Sequence, residues 1–400
     1  MLNVEAALRV VLDCVQPLPP QQVDLEASLG CILAEPVVSD IDSPPHDKSI
    51  VDGYALIAAD VNQPGVELTV LEEITAGTMP TRTVERGAAT RIMTGAPLPR
   101  GADAVVMVEQ TQAAGDRVRI LQSPVKPGQN IMRRAASLAR GHTVLEPGQR
   151  LRAIEIGLLA EVGRTKVAVF PAPRVAVLAT GNELVEASRL PGPAQIRNSN
   201  GPLLAGLVTQ AGGKAVSLGI ARDELDDLRK NIAAGLTRDV LLLSGGVSAG
   251  VLDLVPQALA DLGVQQVFHK VNLKPGKPLW FGVKEQTLVF GLPGNPVSSL
   301  VCFELFVRPA IEKLSGRVPR GLPRVRATLT RDHQQRGDRP TYWPAVLSET
   351  GAAPAVEPLA WQGSGDLRTL TGANGLAHFP AGDRLFTAGE MIDVLRLPGD

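Results

Sequence analysis

Three lysines fall close together: Lys270, then Lys274 and Lys277 inside Lys274-Pro275-Gly276-Lys277-Pro278. Ammonium groups beside a Pro-Gly turn suit a phosphorylated ligand or an oxyanion. A second stretch, Ser244-Gly245-Gly246-Val247-Ser248, follows the apolar run Val240 to Leu243 and precedes a helical pattern from Leu252 to Leu262. Paired glycines let backbone N–H groups approach a ligand without a Cβ in the way, and a strand, glycine loop and helix in succession form the usual phosphate-binding turn of an α/β sheet. Two further loops carry polar groups at strand ends: Ala179-Thr180-Gly181-Asn182-Glu183-Leu184 and Leu292-Pro293-Gly294-Asn295-Pro296. Asp253, just past the glycine loop, could hold Mg²⁺ through oxygen and water, or simply stabilise the first turn of its helix. Glu183 and the lysines could equally be solvated charges. No Ser-His-Asp set and no cysteine nucleophile stands out, so positioning and electrostatics by lysines and a divalent ion are the chemistry available.

Alternating strand and helix patterns position these loops. From Arg174 to about Gly316 the chain reads strand 174–178, helix 202–211, strand 213–219, a helix opening at 221–224, strand 240–243, helix 252–262, strand 264–271, strand 288–291 and a long helix from Val297 to about Ser315. Such alternation predicts a doubly wound parallel sheet, whose ligands bind at the carboxyl edge of the strands. Asn295 suits a helix N-cap and Pro296 the first helical turn. Upstream, apolar residues at helix spacing over 4–15 end at Pro17, and a short helical pattern covers 25–31. Short strands at 66–71, 89–92, 104–108 and 118–121, punctuated by glycine and proline, predict a β-rich unit. Helical 154–160 and strand-like 166–170 then lead to Pro171-Ala172-Pro173. The alternating pattern at 325–329 and the short runs after it predict a small C-terminal β domain.

The 400 residues allow two to four domains, and a formal net charge of −1 gives no reason to expect nucleic acid or an anionic membrane as partner. No apolar run reaches membrane length and no signal pattern opens the chain, which predicts a cytoplasmic protein. Cys14, Cys31 and Cys302 lie far apart and are expected as buried reduced thiols, while scattered histidines argue against zinc. Aromatic residues make up only 3% of the chain, so the cores must rest on Val, Leu, Ile and Ala.

Several stretches together resemble the molybdopterin molybdenumtransferase family, the MoeA and gephyrin E-domain type. They are Asp52-Gly53-Tyr54-Ala55, Arg91 to Pro97 with Gly101 to Val106, Thr180-Gly181 with Glu183-Leu184, Asn198-Ser199-Asn200, Ser244 to Ser248, Lys274 to Pro278 and Gly291 to Ser298. The resemblance spans nearly the whole chain in order. It implies an α/β multidomain fold: an elongated domain from two segments (1–22 and 141–171), a β-rich second domain (23–140), a molybdopterin-binding α/β domain (172–318) and a C-terminal β-barrel (319–400). It implies a homodimer whose cleft joins the α/β domain to the partner's second domain. The implied reaction inserts molybdate into adenylylated molybdopterin with release of AMP, and requires Mg²⁺. A molybdopterin adenylyltransferase would act upstream, and molybdoenzymes or their chaperones downstream.

Carried over by position, the resemblance implies catalytic roles for Asp52, Thr94, Glu183, Asp223, Lys270 and Lys274, and metal binding by Asp253 and Glu183. It implies ligand binding by Thr180, Gly181, Asn198, Ser199, Asn200, Ser244, Gly245, Gly246, Val247, Ser248, Lys277, Pro293, Gly294, Asn295, Pro296 and Ser364. The chain also departs from the family pattern. Ser137 in Arg133-Arg134-Ala135-Ala136-Ser137-Leu138 stands where a site acid is usual, Asn182 replaces a second carboxylate, Ile50-Val51 replaces Ala-Met, and Pro344 replaces an arginine. Two fewer acids point to altered efficiency, to another oxyanion such as tungstate, or to a molybdopterin carrier without catalysis. A molybdopterin adenylyltransferase is a separate alternative, disfavoured because the single α/β domain that suffices there is here embedded in three further segments.

Overall fold

The apolar run at Val240 forms the centre of a six-stranded sheet, the strand Val240–Ser244, buried along its whole length. The computed structural model describes residues 1–247, 254–351 and 353–398. In spatial order the strands are Lys214–Ala221, Arg174–Thr180, Val240–Ser244, Thr287–Leu292, Trp280–Lys284 and Gln265–His269. The first four are mutually parallel. Successive side chains alternate between two cores, as strand geometry demands. Val175, Val177, Val240 and Leu242 enter one, against the helices Asn200–Gln210 and Pro296–Cys302. Ala176, Leu178, Leu241 and Leu243 enter the other, against Leu225–Gly235 and Leu254–Asp261. Helices on both faces make the sheet doubly wound, as the alternation predicts.

The sheet departs from full parallelism at one strand. Trp280–Lys284, not read as a strand from the sequence, runs antiparallel to both neighbours. The two-residue turn Glu285-Gln286 links it to Thr287–Leu292, with Glu285 at φ 52°. A turn that short can join only antiparallel strands, since a parallel crossover needs a dozen residues or more. The reversal places Gln265–His269 parallel to the first four strands. Its outgoing loop, 270–278, therefore emerges at the same edge as the others.

Two separated stretches build a small unit beside this layer. The strand Lys166–Phe170 pairs with Gln21–Asp24 and Ile32–Leu33, and the helix Ala153–Glu161 packs with them through Leu33, Leu151, Leu159, Val167 and Val169. The helix Val4–Asp13, grouped with this unit from sequence, instead buries Ala7 and Val11 in the α/β core. Its apolar stripe finds a partner there, with Leu2 bridging Val271 and the Lys313 ammonium donating to the Leu12 carbonyl. Residues 25–28 form a single 3₁₀ turn rather than a helix to Cys31. The long C-terminal helix of the α/β layer is continuous from Pro296 to Leu314 but widens to a π turn over Phe303–Val307.

The β-rich unit is a six-stranded sheet containing Gly53–Leu56, Ala88–Ile92 and Val66–Ile74. The C-terminal part closes into a barrel of Arg324–Leu329, Ala355–Pro358, Thr341–Ser348, Gly375–Phe379 and Met391–Arg396. Among the cysteines only Cys302 is buried; Cys14 caps the C-terminus of the first helix, past its buried stripe, and is exposed. No helix among the described residues is long and apolar enough to cross a membrane.

Candidate functional site

Where the strand order reverses, between Arg174–Thr180 and Val240–Ser244, the carboxyl ends of the strands open into a cavity of about 730 Å³. Its lining includes Thr180, Gly181 and Glu183 from one loop, Asp223 from the next, Ser244 to Val247 from the glycine loop, and Pro293 to Pro296. Asn198, Ser199, Asn200 and Arg197 complete it from the start of the helix Asn200–Gln210. Four loops distant in sequence therefore meet here because parallel strands deliver their carboxyl ends to one edge.

One side chain ties two of these loops to the start of the helix Asn200–Gln210. The buried Asn200 amide donates to Ser244 Oγ at 2.7 Å and to the Gly294 carbonyl at 2.7 Å. Its Oδ1 is buried without a partner among the described residues. The adjacent Asn198 Oδ1 accepts from the Gly201 N–H at 2.9 Å and secures the helix start. Gly245 sits at φ 97°, and a Cβ there would lie 2.6 Å from the Thr180 carbonyl oxygen, so only glycine fits. Its N–H is committed to the Leu292 carbonyl at 3.1 Å, however, and is spent on the fold rather than on a ligand. Asn182 and Asp223 bond reciprocally: the Asn182 N–H donates to the Asp223 carboxylate, and the Asp223 N–H donates to Asn182 Oδ1.

A second cavity, of about 490 Å³, adjoins the first and shares Pro278, Pro293 and Asn295 with it. Here the loop of Lys274 and Lys277 faces the barrel, which contributes Arg339, Trp343, Trp361 and Ser364. Backbone bonds clamp the two parts: the Lys274 N–H donates to the Pro340 carbonyl at 2.9 Å, and the Tyr342 N–H to the Lys274 carbonyl at 2.8 Å. Asn295 occupies the N-cap position and Pro296 the first turn, yet the Asn295 amide caps nothing; it donates to Ser364 Oγ at 2.8 Å. Ser364 is thus drawn into the site from the barrel.

The cavities differ in charge. The first carries two carboxylates, Glu183 and Asp223, and one guanidinium, Arg197. The second carries Lys274, Lys277 and Arg339, with no carboxylate among the described residues that line it. A phosphate entering the first must contend with the acids, whereas an oxyanion entering the second meets unopposed positive charge.

Not all residues singled out from sequence meet here. Lys270 lines neither cavity; it sits at φ 73°, with its N–H bonded to the Leu279 carbonyl. Asp52 and Thr94 come together in the β-rich unit, where Asp52 Oδ1 accepts from the Thr94 N–H and hydroxyl, both at 2.7 Å. Those two bonds hold the Asp52 carboxyl below its ordinary pKa. This pair also lines neither cavity. Ser248 and Asp253 lie outside the described residues. Ser137 sits in an exposed turn, its N–H on the Ser43 carbonyl. Arg197, Arg339 and Trp361 are not singled out by the sequence reading, although Arg197 directly precedes Asn198-Ser199-Asn200 and Trp361 directly precedes Gln362-Gly363-Ser364. Arg339 nonetheless supplies a guanidinium to the second cavity, which Pro344 does not line.

Comparison with known proteins agrees along the whole chain. Residues 2–163 match the MoeA N-terminal region (domain I and II), 176–313 a probable molybdopterin binding domain, and 326–397 the MoeA C-terminal region (domain IV). A molybdopterin molybdenumtransferase of Nostoc sp. is 38% identical, over 100% of this chain and 94% of that protein. One from Staphylococcus aureus is 34% identical, over 100% of this chain and 96% of that protein. The crystal structure of a molybdopterin biosynthesis MoeA protein from Pyrococcus horikosii superposes with a TM-score of 0.87 at 32% identity, covering 100% of both chains. The chain belongs to the molybdopterin molybdenumtransferase family, enzymes of molybdenum cofactor biosynthesis.

Proposed function

We propose that the two adjoining cavities form one site that takes adenylylated molybdopterin and molybdate and releases AMP. The observation that carries this reading is the charge division across Pro278, Pro293 and Asn295. The first cavity, at the sheet's switch point, suits a nucleotide and its phosphates. The second suits the molybdate dianion: Lys274, Lys277 and Arg339 attract it, and Ser364, positioned by Asn295, offers a hydroxyl. Lys270 adds positive charge near the loop that carries them. Asp52 and Thr94 close the cleft of a homodimer from the partner subunit, which explains why they stand apart from both cavities here. The protein works in the cytoplasm, between a molybdopterin adenylyltransferase and molybdoenzymes or their chaperones. Its segments divide as the family's four domains do.

Mg²⁺ fits the first cavity. Among the described residues no three His, Cys, Asp or Glu side chains are grouped to hold a metal by themselves. Mg²⁺ does not need such a group, since it binds through one or two carboxylates plus phosphate and water oxygens. Glu183 and Asp223 supply hard oxygens beside the proposed phosphate position. When bound, the ion would neutralise the charge between those acids and the pyrophosphate. The Asn182–Asp223 hydrogen bonds keep the Asp223 carboxylate aimed across the loop ends.

The test is AMP release from adenylylated molybdopterin by the purified chain with Mg²⁺, with and without molybdate. Release that depends on molybdate is the expected result. Tight binding of the substrate with no release under either condition would replace the transferase with a carrier.

A further inference from the structure

Two of the chain's three tryptophans, Trp343 and Trp361, line the second cavity, in a protein where aromatic residues are only 3% of the sequence. They end a continuous ladder of rings. Phe386 meets Phe379 at 5.2 Å between centroids, Phe379 stacks on His333 at 3.9 Å, His333 meets Trp343 at 4.7 Å, and Trp343 meets Trp361 edge to face at 4.8 Å. Phe379 and Phe386 belong to the barrel core. The Trp343 indole N–H donates to the Leu359 carbonyl at 2.8 Å, whereas the buried Trp361 Nε1 has no hydrogen-bond partner among the described residues. Trp361 is thus the last ring of the ladder, packed on Trp343 on the barrel side and against the α/β core on the other.

We propose that Trp361 is the wall on which the fused heterocycle of the substrate stacks. The proposal rests on the two-cavity reading and assigns its halves: nucleotide in the first cavity, pterin ring in the second. Three features of the second cavity suit that ring. It offers an aromatic surface, and stacking on aromatic side chains is the common way proteins hold flat heterocycles. It offers neutral amide and hydroxyl groups, from Asn295, Gln362 and Ser364, for ring oxo and amino substituents. Its cations, Lys274, Lys277 and Arg339, line the same cavity as Trp361 and can serve an anion bound beside the ring. None of these depends on the carboxylates of the first cavity. Since the cavities share Pro278, Pro293 and Asn295, one elongated ligand can span both.

The experiment is calorimetric titration of the full chain with 6-hydroxymethylpterin, a pterin without phosphate, and separately with AMP. It is run on the wild type, Trp361→Phe and Trp361→Leu. Trp361→Leu should weaken pterin binding about fivefold to a hundredfold. Trp361→Phe, which keeps a ring, should stay within about threefold of the wild type, and AMP affinity should be unchanged in both. A wild type that binds AMP but no pterin overturns the stacking and leaves the nucleotide site standing; failure to bind either overturns both. Pterin affinity equal in Trp361→Leu and the wild type, or as weak in Trp361→Phe as in Trp361→Leu, also overturns the proposal.

Discussion

Asn200 is the residue whose removal should loosen the first cavity most for the least change in composition. Asn200→Ala deletes two donors, one to the buried Ser244 Oγ and one to the Gly294 carbonyl. Gly294 is exposed, so water can replace the lost bond and the net cost is about 1 kcal/mol. Ser244 is only 3% exposed; losing its partner costs about 1–3 kcal/mol. Alanine at the start of a helix returns about 0.5 kcal/mol through its higher propensity. Deleting the unpartnered Oδ1 also relieves about 1 kcal/mol. The balance is a loss of about 0.5–2.5 kcal/mol, which for a cooperative unit of the size of the α/β layer corresponds to about 1–10 °C in Tm. Because several cores need not melt as one, hydrogen exchange of the strand Val240–Ser244 should accompany scanning calorimetry. AMP affinity should fall about tenfold, as part of the same loss appears in the splaying of two loops from the helix start. Asn200→Asp keeps the shape but cannot donate, and adds a charge beside Glu183 and Asp223, so it should do at least as much damage. An Asn200→Ala protein that melts within about 1 °C of the wild type and binds AMP equally well would refute the role of this side chain as the knot of the site.

Other outcomes follow from the charge and burial of particular groups. Lys274→Ala should weaken molybdate binding about ten- to a hundredfold and flatten its salt dependence, with Lys277→Ala milder because Lys277 is exposed. Neither lysine lines the first cavity, so AMP affinity should hold; a parallel loss of both would show that the cavities are not distinct. His333, buried against Phe379, has its pKa pushed down to about 4, chiefly by burial and secondarily by Arg331 and Lys274. The unfolded chain therefore takes up this proton first as the pH falls. The stability His333 contributes is intact above about pH 6.5 and is lost between there and about pH 4, on the order of 1–2 kcal/mol after allowance for solvent screening. His333→Phe should flatten the decline of barrel stability measured by denaturant unfolding across that window; an unchanged decline would place its origin elsewhere.

Much of this protein is determined by local pattern. Strand-to-helix alternation from Arg174 onward required a sheet with helices on both faces, because apolar runs such as Val240–Leu243 can be buried only when covered on both sides. Loops at strand ends then had to share an edge, and so Thr180, Ser244, Pro293 and Asn295 were legible together from residue type and position. Local pattern does not carry charge across a fold. The separation of Glu183 and Asp223 from Lys274, Lys277 and Arg339 arises because a two-residue turn reverses the strand Trp280–Lys284, returning Gln265–His269 to the parallel sense and aiming its loop at the barrel. The helix Val4–Asp13 could be foreseen as amphipathic, but not which core its stripe would enter. Asn295 looked like a cap from its sequence, yet tertiary structure gave its amide to Ser364, whose position depends on how the barrel docks. Trp361 is the clearest case: no periodicity marks it, and its place at the end of a five-ring ladder exists only because segments of the C-terminal domain far apart in the chain bring those rings into contact. Sequence determines what each segment can bury and bond; only the closed fold decides which segments meet, since that is a competition among surfaces that are not neighbours in the chain.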